Sequence, residues 1–318
     1  MNRLILHWPA IENLRTLLVS MKANYLIPSA LTVAFLIVVA GCQKNESPRD
    51  AQEDLETNDG LSLSFGLYTT DKPSAVVAQF RPILNELEDE LSDELQKPVT
   101  IKIDISSSYQ KGINRIADGE VDFARLGPAS FILAKEKNEQ IQLVAMESNK
   151  GQKTFRGIIA VHAESSLTSL EELSGKDFAF GDERSTIGRY LSQMQLSQAG
   201  VRAKDLNSYE YLGRHDAVAA AVGSQKFHAG ALKESTFRKM NAKGTPIKAL
   251  TTFSNVTKPW VAREQLPVEV ALALKKVLLE LKSPDALQAL GKQGFLEASF
   301  EDYRSVQQAM ARNSEFFE

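Results

Sequence analysis

Between residues 61 and 105 the hydrophobic spacing changes twice, and that double switch narrows the possible folds more than any other stretch. Leu61, Leu63, Phe65 and Leu67 alternate with Ser62, Ser64 and Gly66, the two-residue period of a strand. After Asp71-Lys72-Pro73 the apolar positions are Val76, Val77, Phe80, Ile83, Leu84, Leu87, Leu91 and Leu95. Steps of three and four make that one face of a helix. Pro98 stops it, and Val99, Ile101, Ile103 and Ile105 resume the alternation. Strand, helix, strand is a β-α-β unit, and such units in series build parallel sheets covered by helices.

The alternation continues to the end of the chain. Strands are expected at 121–126, 141–146, 155–162, 178–180, 208–212, 227–232, 247–251 and 260–262. Helices are expected at 111–117, 128–138, 185–198 and 215–222, then in a tail from 268 broken near Pro284 and at 291–294. The class is α/β, each sheet mostly parallel and flanked by helices. No Pro-, Gly- or Ser-rich linker divides it. Two lobes, with the chain crossing between them twice, would place a ligand cleft at the hinge. The boundaries expected are 61–153 plus 257–318 for lobe 1 and 154–256 for lobe 2.

The first 60 residues read differently. An apolar run from 25 to 41 follows Met21-Lys22 and ends in Val39-Ala40-Gly41-Cys42. A short positive start, an apolar middle and a small-residue exit are the parts of a secretory signal peptide. Residues 1–41 are expected to be that signal, with translation starting at Met21. The exit looks like a bacterial lipobox, which would make Cys42 the lipidated first residue of the mature protein. An uncleaved membrane anchor is the alternative; the run is at the short edge of a spanning helix, and Pro28 weakens it. Residues 43–60 hold only Ala51 and Leu55 as apolar positions, so 42–60 is expected to be a flexible tether.

Composition excludes several classes. With 37 Lys+Arg against 40 Asp+Glu there is no basic excess for a nucleic acid. One cysteine cannot build a disulfide framework or a multi-cysteine metal site, and His7, His162, His215 and His228 have no metal-ligand spacing. No metal and no cofactor are expected. There is no G-x-S-x-G elbow, and His215 and Asp216, adjacent on one helix, cannot line up behind a serine as a triad. Catalysis is not expected.

Five segments carry a family resemblance: Ser64-Phe65-Gly66-Leu67-Tyr68, 121–130 (VDFARLGPAS), 181–188 (GDERSTIG), 213–218 (GRHDAV) and Pro259-Trp260-Val261-Ala262-Arg263. In this order the chain resembles the phosphonate/phosphite/phosphate-binding proteins of bacterial ABC importers, from about residue 61 to 300. The resemblance implies the type II periplasmic binding fold, two lobes closing on a tetrahedral oxyanion. It also implies an extracytoplasmic binding protein that hands a small phosphorus oxyanion to an ABC permease; the expectation is a monomer, and the lipobox reading would hold it to the membrane through Cys42. A lipoprotein reporting occupancy to a membrane sensor, without transport, is the alternative.

The candidate ligand residues are Tyr109, Phe155, Ser185, Thr186, Ile187, His215 and Asp216. Ser185-Thr186 follow a strand and start a helix, where backbone N–H groups lack intrahelical acceptors and the dipole favours an anion. An ordinary Ser N-cap is the other reading of the same residues. The resemblance places the hydroxyl pair, and the Ile187 that follows it, on the ligand. His215 is expected to donate to the oxyanion, and Asp216 to accept from a protonated phosphoryl oxygen or to fix the imidazole. Tyr109 matches a tyrosine that closes on the ligand and Phe155 a pocket aromatic. Relatives that bind aminophosphonates hold the ammonium with carboxylates. Here Lys258 stands in one such region, only Glu234 is near the other, and His228 replaces an Asp. Phosphate, phosphite or a simple phosphonate is therefore expected rather than an aminophosphonate.

Overall fold

The computed structural model describes residues 60–68 and 73–318. The expected signal segment, Cys42 and the tether up to residue 59 lie outside the described residues.

The opening double switch folds as its spacing demands. β1 (Leu61–Tyr68) pairs in parallel with β2 (Val99–Ser106) along its whole length, and α1 (Pro73–Leu95) covers them. The inward Leu63, Phe65 and Leu67 meet Phe80, Ile83, Leu84, Leu87 and Leu91 of the helix in one core. Chain order then gives α2 (Tyr109–Ala117), β3 (Phe123–Arg125), α3 (Pro128–Lys137) and β4 (Gln142–Glu147). The chain crosses to a second sheet with β5 (Thr154–His162), β6 (Asp177–Phe180), α4 (Ser192–Gln198), β7 (Ser208–Tyr211), α5 (His215–Gly223), β8 (Ala229–Lys233), α6 (Glu234–Ala242) and β9 (Ile247–Val256). It returns through β10 (Pro259–Ala262), α7 (Val268–Glu280), α8 (Pro284–Leu290), β11 (Phe295–Leu296) and α9 (Arg304–Ala311). Among the described residues the strand orders are β11-β4-β10-β3-β1-β2 and β7-β6-β8-β5-β9.

The sheets are mixed, which corrects the expectation of mostly parallel ones. β1 runs parallel to β2 and β3, and β6 to β7 and β8, but β10 is antiparallel to β3 and β4, and β5 to β8 and β9. The crossings are the reason. β4 leads out into β5 and β9 leads back into β10, and the two routes lie side by side. Met146 faces Pro259 on one side of the hinge and Thr154 faces Val256 on the other. Strands carrying the chain in opposite directions pair antiparallel, and hydrophobic period carries no sign of direction.

Each sheet is covered on both faces. The first packs α1, α7 and α8 on one side, and α2, α3 and the Tyr303–Val306 region on the other. Phe65 lies against Phe123 and Trp260, with ring centroids 5.0 and 4.9 Å apart. The second sheet packs Ile187, Leu191 and Leu196 on one face and α5 on the other. Residues near the C-terminus, expected with lobe 1, reach the second sheet: Ala309 and Phe316 are buried among Phe178, Phe180 and Leu191. Helix α6 has no fully buried residue and packs only Phe237 and Met240, half-buried, against the second core, too short an apolar stripe to announce it.

Candidate functional site

Both sheets and the returning crossing contribute to one small cavity of about 70 Å³. From the first sheet come Tyr68, at the end of β1, Tyr109, at the start of α2, and Gly127, the N-cap of α3. α2 starts where it does because Ser108 caps it, accepting the Lys111 N–H at 3.2 Å. The Tyr68 and Tyr109 rings lie against each other, tilted by 35°, with centroids 4.1 Å apart. Burial pushes the Tyr68 hydroxyl up to about 12, and burial raises Tyr109 further, so both phenols keep their protons. Tyr68 Oη accepts the Gly127 N–H at 2.7 Å and shares a hydrogen bond with Ser130 Oγ at 2.8 Å. When Ser130 donates, the Tyr68 proton is available to an anion.

Facing them is the turn that begins at Ser185. Ser185 Oγ accepts the Gly188 N–H at 3.0 Å, so the hydroxyl caps its own helix while also sharing a hydrogen bond with Tyr109. Thr186 Oγ1 accepts the Ala129 N–H at 2.9 Å, joining the turn to the start of α3. The helix begins as a π turn, Thr186–Leu191, before α4. Gly181 and Gly188 touch here: a Cβ on Gly188 would lie 2.7 Å from the Gly181 Cα. The two glycines of the 181–188 segment are thus required by packing. Ile187 lines the same cavity from this turn.

His215 opens α5 and is buried. Burial first, then Lys233 and Lys258, lower its pKa to about 3, so the ring is neutral. The Ala231 carbonyl accepts from the imidazole. Nδ1 has no hydrogen-bond partner among the described residues, so its lone pair is an acceptor. Asn255 Oδ1, also buried at the cavity, is likewise without a partner there. Asp216 is elsewhere. It accepts from Arg214 Nε at 2.9 Å and Nη2 at 2.6 Å and from the Ala217 N–H, its side chain two-fifths exposed. The expectation that Asp216 meets the ligand or fixes His215 is corrected: its neighbouring arginine holds the carboxylate outside the cavity.

The remaining cavity wall is cationic. Lys233 ends β8 and Lys258 sits on the returning crossing. Burial, reinforced by Arg125 and Lys233, holds Lys258 well below the usual lysine range against the pull of Glu147. Glu147 ends β4 and is fully buried. Burial pushes its carboxyl up, but Arg125 and then Lys292 more than reverse that and leave it at about 2. Arg125 binds it directly, and Lys292 Nζ lies 3.2 Å from its other oxygen and 5.7 Å over the Phe155 ring.

Beyond the small cavity the cleft widens to about 660 Å³. Tyr68, Tyr109, Phe155, His215, Lys233 and Lys258 line both chambers. Glu234 lies in the wider one, paired with Arg238 at 2.6 Å. His228 lies in neither and binds Asp177 at 3.2 Å.

Of the residues expected from the sequence, Tyr109, Phe155, Ser185, Thr186, Ile187 and His215 meet at one cavity and Asp216 does not. Tyr68, Lys233 and Asn255 join them without having been expected. Tyr68 closes the first resembling segment, so its position in that motif was an available signal. Lys233 and Asn255 come from strand ends, where no local pattern marks them.

Comparison with known proteins agrees with this geometry. Residues 65–303 match the family described as ABC transporter, phosphonate, periplasmic substrate-binding protein. A probable ABC transporter phosphite-binding protein, PhnD1 of Prochlorococcus marinus strain MIT 9301, is 26% identical over 284 residues, covering 78% of this chain and 93% of that protein. The structure of PhnD1 with methylphosphonate superposes with a TM-score of 0.68 at 24% identity, over 80% of this chain and 98% of that one. A binding component of a Pseudomonas aeruginosa phosphonate transporter gives 0.68 at 17% identity, over 80% and 87%. These structures share the type II periplasmic binding fold. The family description names a transport component, and none of these relatives supports the sensing alternative. With family, fold and cleft in agreement, the chain belongs to the periplasmic substrate-binding proteins of phosphonate ABC transporters, extracytoplasmic solute carriers and not enzymes.

Proposed function

We propose that this protein captures a phosphorus oxyanion (phosphate, phosphite or a simple phosphonate) through its phosphoryl head and presents it to the permease while tethered by lipid on Cys42. One observation carries the ligand class. The small cavity gathers phenols, hydroxyls, a helix N-terminus and two lysines, and no carboxylate lines it among the described residues. At about 70 Å³ it is small beside the adjoining chamber of about 660 Å³, which suits a compact tetrahedral head. Tyr68, Tyr109, the Ser185-Thr186 hydroxyls and N–H groups, and the two lysines serve as donors. His215 Nδ1 and Asn255 Oδ1 are acceptors, and an acceptor favours an anion that carries its own proton. A phosphoryl group can keep a P–OH near neutral pH and a sulfonate cannot.

The lobes, built around residues 61–153 with the returning strand β10 and around 154–256, close on this ligand about the paired crossings. Because a ligand that binds only the native state raises stability by mass action, thermal shifts test the reading. Phosphate, phosphite and methylphosphonate should raise Tm where methanesulfonate and acetate do not. Equal shifts with methanesulfonate would remove the phosphorus assignment. X-ray scattering should show compaction with the same ligands, and an unchanged radius would remove lobe closure.

A further inference from the structure

We propose that the ligand carries a second anionic group, a carboxylate a few bonds from the phosphorus, and that Lys150 and Arg156 receive it in the wider chamber. This rests on the phosphoryl head occupying the small cavity. A head seated in the small cavity of about 70 Å³ leaves its substituent pointing into the adjoining chamber of about 660 Å³. That chamber is lined by eight lysines and arginines and by a single carboxylate, Glu234, in a chain whose net charge is −3. The concentration of positive charge is therefore local to the cleft.

Several of these cations are already committed. Arg125 and Lys292 hold Glu147, Arg238 holds Glu234, and Arg214 holds Asp216. Lys150 and Arg156 form no ion pair among the described residues; both are exposed, Lys150 on the outgoing crossing and Arg156 near the start of β5. A cleft walled by low-dielectric protein focuses such a field on whatever enters it. An uncharged methyl substituent would leave that field unused.

The position of Lys150 points the same way. Asn149 and Gln152 exchange both backbone hydrogen bonds at 3.0 Å, closing a two-residue hairpin over Lys150-Gly151. Both central residues have positive φ, 55° and 77°, as in a type I′ turn, where Asn-Gly is the favoured pair. A lysine at the first position lowers the stability of the turn and places an ammonium at the chamber wall. The backbone would prefer asparagine, which makes Lys150→Asn a substitution that removes the charge and suits the turn.

The test is calorimetry on the full chain in detergent with methylphosphonate, phosphonoacetate and 2-phosphoglycolate. At least one of the two-headed ligands should bind about tenfold or more tightly than methylphosphonate at low salt. The gap should shrink as salt rises. Which of the two gains tells a phosphonate from a phosphate ester. Lys150→Asn with Arg156→Gln should abolish the gap and leave methylphosphonate within about twofold, while Lys150→Asn alone holds or raises Tm. If methylphosphonate binds and neither two-headed ligand binds more tightly, or if the double variant keeps the gap, the second anionic group is refuted. If none of the three binds, the proposed function itself fails and this inference with it.

Discussion

Thr186 Oγ1 takes the Ala129 N–H at 2.9 Å across the cleft, so the hydroxyl assigned to the anion also fastens the turn of one lobe to a helix start in the other. A ligand at this point competes for, or shares, a bond that already spans the lobes. With the anion bound as proposed, binding and closure would be coupled through this one oxygen atom.

Replacing Ser185 and Thr186 together with Ala should therefore weaken binding of a phosphorus oxyanion at least tenfold. Each hydrogen bond to a charged group contributes about 1.5–3 kcal/mol, and the pair also loses the Gly188 cap and the Ala129 tie. Calorimetry gives the affinity and circular dichroism checks the fold. Unchanged affinity in a folded double mutant removes both hydroxyls from the site.

Glu147 makes stability depend on acid. Its carboxyl ordinarily titrates at 4.5 and is held at about 2 in the fold. A depressed carboxyl contributes stability that is fully present above 4.5 and is lost as pH falls toward 2. The shift corresponds to about 3 kcal/mol. Glu147→Gln should cost a similar amount at pH 7, since Arg125 and Lys292 lose their counter-charge, and should flatten the acid limb of urea unfolding. An acid limb identical in the variant would show that another group sets it.

Lys258 should set selectivity against ammonium groups. It lines both chambers, and the nearest lining carboxylate, Glu234, is engaged by Arg238. A cationic substituent meets like charge where water is scarce, at a cost of a few kcal/mol. Methylphosphonate should bind at least tenfold more tightly than 2-aminoethylphosphonate, and Lys258→Gln should narrow the difference. Tighter binding of the amino compound by the native protein would overturn this.

The same lysine should take up a proton when the anion arrives. Burial and the neighbours Arg125, Lys233 and Lys292 depress Lys258 against the single opposing charge of Glu147. A bound dianion reverses that balance and raises its pKa. Binding enthalpies in buffers of different ionisation heat should show net uptake at alkaline pH, and affinity should fall as pH rises there. Lys258→Gln should remove the uptake; uptake that persists would assign the proton to another group.

Membrane attachment is tested by Cys42→Ser. Native protein should fractionate with membranes and the variant with the soluble envelope contents. A variant still in the membrane fraction would exclude lipid on Cys42 as the tether.

Much of this arrangement was legible in the chain because local period and local position carry it. β1, α1 and β2 follow directly from their spacing, and Ser185 and His215 follow from helix starts within resembling segments. What stayed hidden depends on partners far away in sequence. Asp216 has the right address for a ligand residue, yet Arg214 turns it aside, a competition between neighbours that no motif records. Lys233 and Asn255 reach the cavity only because β8 and β9 flank β5. Sheet direction escaped for a similar reason: alternation reads the same whichever way a strand runs.

The insertion of β10 between β3 and β4 also governs the order in which the protein can be assembled. Residues 154–256 are contiguous, so every strand of the second sheet has emerged from the ribosome once Val256 has. The first sheet stays split until Pro259–Ala262 arrives to bridge β3 and β4, more than a hundred residues after them. Until then both carry unpaired edges, and their pairing waits on loop closure over a long span. The second sheet can thus be complete while the first still waits, and the half of the molecule made first is the half whose pairing finishes last.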